Sequence, residues 1–110
     1  MPIISKELLS EVLGVYVRDG WYFDCELLLY THDKILGLDE NYHSQINIYE
    51  LAHKCKEWAH SRNFMIQSYL YNTKARADLL SSCDVDEKFQ ADTEPEAVFR
   101  ACEWILKDKR

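Results

Sequence analysis

The sequence predicts an α+β fold, an antiparallel sheet built from two hairpins with three helices packed on it, in the order helix, hairpin, helix, hairpin, helix. Two observations predict it. Three segments repeat apolar residues at helical spacing behind their own start signals, and the two segments between them change to a period of two around turn residues.

The first helix follows Ser5, a good N-cap, with Leu8, Leu9, Val12 and Leu13 at helical spacing and Gly14 as its stop. The second opens at Asn47 with Glu50 three residues on, a capping box, and Ile46 and Leu51 in the positions of a hydrophobic staple. Its apolar stripe is Ile48, Leu51, Ala52, Cys55, Trp58 and Ala59. The third opens at Thr93 with Glu96 three residues on and Pro95 tolerated in the first turn. Its stripe is Val98, Ala101, Cys102 and Ile105, flanked by Ala97 and Trp104.

Between the first two helices, residues 15–18 and 21–23 flank Asp19-Gly20, a strong two-residue hairpin signal. Cys25 to Tyr30 continues the second strand or bends through a bulge, and Lys34 to Leu38 is available as a third strand. Phe64 to Tyr71 alternates, and Asn72-Thr73-Lys74 turns it into Ala75 to Leu80 as a second hairpin. At 110 residues the chain predicts one domain, with residues 37–45 the single polar seam.

No apolar run approaches the ~20 residues of a membrane helix. Glu7 and Glu11 interrupt any signal-like core at the N-terminus, so the expected location is the cytoplasm. Cys25, Cys55, Cys83 and Cys102 lie far apart, without the close pairs that zinc and thioredoxin motifs use, and reduced thiols are expected. No phosphate loop or nucleophile elbow is present, and no cofactor or metal is expected. His53, Glu57 and His60 share one helix face, but lack the second copy that a di-metal site needs, so they read as a solvated face. Cys83, between Ser82 and Asp84, is the best exposed thiol and has no marked base. Catalysis is therefore not expected.

The formal net charge is −6. Residues 1–40 carry three basic and eight acidic side chains, residues 41–76 five and two, and residues 77–110 five and nine, which gives −5, +3 and −4. The total argues against a general phosphate binder. The central island of Lys54, Lys56, Arg62, Lys74 and Arg76, with Tyr69 and Tyr71 on one strand face, offers single-stranded nucleic acid a surface for pairing and stacking. Two acidic patches flank it: Asp19, Asp24, Glu26, Asp33, Asp39 and Glu40 in the first hairpin region, and Asp84, Asp86 and Glu87 in a segment that reads as a solvated loop. Trp21, Tyr22 and Phe23 stand beside the first patch and divide between core packing and interface anchoring.

The run Ile46 to Ala59, the hairpin after it, and the closing run Ala91 to Ile105, with its Thr93-Glu94-Pro95-Glu96-Ala97 start, resemble small phage and prophage proteins of the α-β-α sandwich type over residues 46–106. The resemblance supplies no catalytic residue, and residues 1–45 depart from it. It implies a mobile-element product in a bacterial cytoplasm that acts by binding, as anti-CRISPR and other anti-defence proteins do. The expected activity is capture of a host protein with a basic surface through the acidic patches. A nucleic-acid accessory factor using the basic island and a homo-oligomeric structural protein are the competing classes.

Overall fold

The computed structural model describes residues 4–14, 17, 21–23, 27–30, 46–81 and 84–108. The local start and stop signals act as their chemistry requires. In helix α1 (Lys6–Leu13), the Ser5 hydroxyl accepts the Leu8 N–H at 3.1 Å, and Gly14 closes the helix at φ 70°, its N–H bonded to the Ser10 carbonyl. Helix α2 (Ile48–Ser61) starts at Asn47, whose side chain accepts the Glu50 N–H at 2.8 Å and donates to the Glu50 carboxylate at 3.1 Å. Helix α3 (Glu94–Asp108) starts with the Thr93 hydroxyl accepting from the Glu96 N–H.

Two antiparallel three-stranded sheets complete the described part of the chain. The first joins β1 (Tyr22–Phe23), β2 (Leu28–Tyr30) and β3 (Ile46–Asn47), with Phe23 opposite Leu29 and Leu29 opposite Ile46. The second joins β4 (Phe64–Tyr71), β5 (Lys74–Ser81) and β6 (Asp84–Ala91), with β5 central. Phe64 pairs Ser81 and Tyr71 pairs Lys74 around the two-residue turn, where Asn72 takes φ 56°.

The α+β class, the three helices and the antiparallel pairing agree with the sequence reading. Two details do not. Among the described residues there are two separate sheets where one was expected. The segment 84–91, read as a solvated acidic loop, is strand β6: Phe89 and Ala91 point inward between outward Lys88 and Gln90, and an edge strand tolerates its acids because only one side is paired. Of the first hairpin region, the described strands Tyr22–Phe23 and Leu28–Tyr30 pair with each other, with Leu27 at φ 62° just before β2, and the expected pairing around Asp19-Gly20 falls outside the described residues. The expected strand at 34–38 and the seam at 37–45 lie outside the described residues.

Helices α2 and α3 pack together, α3 lies across all three strands of the second sheet, and α2 borders β4. Helix α1 packs on α2 and α3, and the Ser5 hydroxyl donates to Glu103 of α3 at 2.7 Å. Helix α3 is thus covered on more than one side, and Ala97, Val98, Phe99, Ala101, Cys102, Ile105 and Leu106 are all buried. Small Ala75 and Ala77 on β5 let that helix approach the sheet closely. Val17, Phe23, Leu29 and Ile46 join the same core. Among the described residues no helix is long and apolar enough to cross a membrane.

Candidate interaction surface

Strand alternation gives the second sheet two faces of opposite character. Ile66, Ala75, Ala77, Leu79 and Ala91 point into the helices and are buried. Met65, Gln67, Tyr69 and Tyr71 of β4 point the other way, beside Lys74, Arg76, Asp78 and Leu80 of β5 and Lys88 and Gln90 of β6. No described element covers this outer face, and Met65 and Tyr71 are 52% and 48% exposed there.

The polar groups of the face hold one another in place. The Arg76 guanidinium lies 4.0 Å from the centre of the Tyr71 ring, a cation–π contact. The Tyr69 hydroxyl donates to Asp78 at 3.4 Å, and Lys74 pairs with Asp92. The hydrogen bond and charge of Lys74 hold the Asp92 carboxyl below its ordinary pKa. A depressed carboxylate favours the folded state at pH above the ordinary carboxylate range, and that contribution is lost as pH falls through the folded value. Lys74→Met is therefore expected to raise the Asp92 pKa toward its ordinary value and move the acid limb of stability to higher pH. An NMR titration of the carboxyl, paired with melts across the acid range, checks both effects.

The basic island does not form one surface. Lys74 and Arg76 belong to the outer sheet face, while Lys54, Lys56 and Arg62 belong to α2 and its end, beyond the opposite face. Lys56 donates to Ser68 at 2.8 Å, and Arg62 stacks on Trp58 and pairs with Glu11 at 3.4 Å. The five cations are split by the sheet between them, and two of the three on the α2 side tie elements together.

Glu87 is exposed on β6, and the backbone of Asp84 and Asp86 lies in the same edge strand. Asp19, Asp24, Glu26, Asp33, Asp39, Glu40, Cys25 and Cys83 lie outside the described residues. Of the aromatic trio, Phe23 is buried and meets half-buried Trp21 edge to face at 6.1 Å, so these two belong to the core. No known protein family, characterised protein or solved structure matches this chain.

His53 and Glu57 approach to 3.8 Å with both side chains mostly exposed, and no group of three or more metal-ligating side chains gathers among the described residues. Cys55 and Cys102 are free, buried and adjacent across the α2–α3 contact, the Cys102 thiol donating to the Cys55 carbonyl at 3.4 Å. Contact with the Cys55 side chain, then burial, holds the Cys102 thiol well above its ordinary pKa. A protonated, buried thiol is a packing group and not a nucleophile. The sequence reading grouped Tyr69 and Tyr71 with Lys74 and Arg76 but missed Met65, which alternation places on the same face, and the register of β4 on β5 is what brings Arg76 onto Tyr71.

Proposed function

We propose that the protein is a protein-binding module that meets its partner through the open face of the second sheet and carries out no chemistry of its own. The observation that carries this reading is an uncovered antiparallel face bearing Met65, Tyr69, Tyr71 and Arg76. Tyrosine and arginine dominate the energetics of protein interfaces because they combine a large apolar area with directional polar groups. Their mutual contacts preorganise the face and reduce the entropy lost on association. In the setting implied by the phage-type resemblance, the partner is a host protein and the effect is inhibition by occupancy, as in anti-defence proteins.

Nucleic acid fits the face less well. Tyr71 is already stacked by Arg76, Lys74 is paired, and a phosphate run needs more free cations than remain. The test is capture from bacterial lysate by the full chain and by a Tyr69→Ala, Arg76→Glu double variant, whose changes point to solvent and leave the core intact. Loss of one hot spot of ~2 kcal/mol corresponds to roughly 30-fold weaker capture. Equal retention by both proteins contradicts the reading, and a gel shift that falls steeply with salt transfers the face to nucleic acid.

A further inference from the structure

The two edges of the second sheet are built differently. Edge strand β6 carries Asp84, Asp86, Glu87 and Lys88, with a register irregularity opposite Leu79 and Leu80, the devices that keep a sheet edge from pairing. Edge strand β4, Phe-Met-Ile-Gln-Ser-Tyr-Leu-Tyr, has eight residues with no charge, proline or glycine. Exposed apolar surface collects on it at Met65, Leu70 and Tyr71, Leu70 being 73% exposed. The two-residue turn makes Tyr71 and Lys74 a hydrogen-bonded pair, so by alternation Phe64, Ile66, Ser68 and Leu70 direct their N–H and C=O groups away from β5.

Helix α3 lies across all three strands and α2 borders β4, so α2 stands beside an edge that no described strand pairs. Tyr49 of α2 is 66% exposed. Lys56 of α2 reaches β4, with its ammonium on the Ser68 hydroxyl at 2.8 Å. A cleft of about 160 Å³ between Tyr49, Ala52, His53, Lys56, Ser68 and the start of α3 opens in the same region.

We propose that this edge takes up one extended segment of a partner protein as a fourth strand, with a carboxylate opposite Ser68 and apolar side chains at the inward positions on either side. The backbone groups of Phe64, Ile66, Ser68 and Leu70 supply the pairing, and Lys56 supplies the charge that selects an acidic residue. A second copy of this chain fits less well, because its β4 carries no carboxylate to meet Lys56 and would bring a second Lys56 to the same seam. The inference rests on the protein-binding reading and names how that partner is held.

The probe is a labelled heptapeptide Thr-Val-Thr-Glu-Thr-Leu-Thr and its reversed sequence, added to the full ¹⁵N-labelled chain up to about 1 mM, the weak end of specific affinities. Amide shifts are expected to concentrate at residues 64–70. Backbone N-methylation of the peptide at alternate positions, and Leu70→Pro in the protein, which removes an outward N–H without breaking the β4–β5 ladder, are each expected to weaken binding at least ~10-fold. Lys56→Glu is expected to reverse preference between the Glu peptide and its Lys counterpart. Absence of shifts at residues 64–70 with either peptide, or unchanged affinity after N-methylation, overturns the proposal even if Leu70→Pro fails to fold. A dimer in solution that Leu70→Pro dissolves assigns the edge to a second copy instead. Neither result touches Tyr69 and Arg76 on the outer face, so the broader reading is tested separately.

Discussion

Phe99→Ala is expected to lower stability by about 3–5 kcal/mol, the largest single loss available in this chain, because it empties a fully buried aromatic site. The cavity cannot collapse easily: α3 is held by the sheet on one side and by α2 and α1 elsewhere, and Ser5 ties α1 to Glu103. A domain of this size has a total stability on the order of 5–15 kcal/mol, so the variant should unfold at markedly lower urea with an unchanged slope. Leu70→Ala, at an exposed position, is the matched control and should stay within about 0.5 kcal/mol of the parent. A loss under about 1 kcal/mol for Phe99→Ala would show that α3 is not the centre of the core.

Ala77→Leu tests the same contact from the sheet side. Ala77 is fully buried on β5, opposite Ser68 on β4 and Phe89 on β6, beneath the helix that crosses all three strands. A leucine there has no space to enter without pushing α3 off the sheet, and overpacking of this kind costs about 1–3 kcal/mol. Thermal melts of the two proteins decide it. An unchanged midpoint would mean that helix and sheet are not in close contact at β5.

How far these features can be read from the chain depends on how local their causes are. Ser5, Asn47, Thr93 and Gly14 act within a single helical turn, and each cap is where the residue pattern places it. The hairpin 64–81 is equally local, its register following from a two-residue turn. Strand β6 was hidden because its acids look like a loop until β5 provides a partner on one side only. Phe99 lies outside the single stripe expected of a helix with one buried side, and only the covering of α3 from several directions explains its burial. The basic island shows the same limit at the level of the site. Its five members are neighbours in sequence, yet the sheet separates Lys74 and Arg76 from the cations of α2.

The claim that the outer sheet face receives the partner is tested most directly by photo-crosslinking in host lysate. A photoreactive residue at Gln67, in the middle of the open face, is compared with one at Glu57, exposed on α2. One partner band is expected from position 67 and none from position 57. A band from position 57 alone, or equal bands from both, would contradict it.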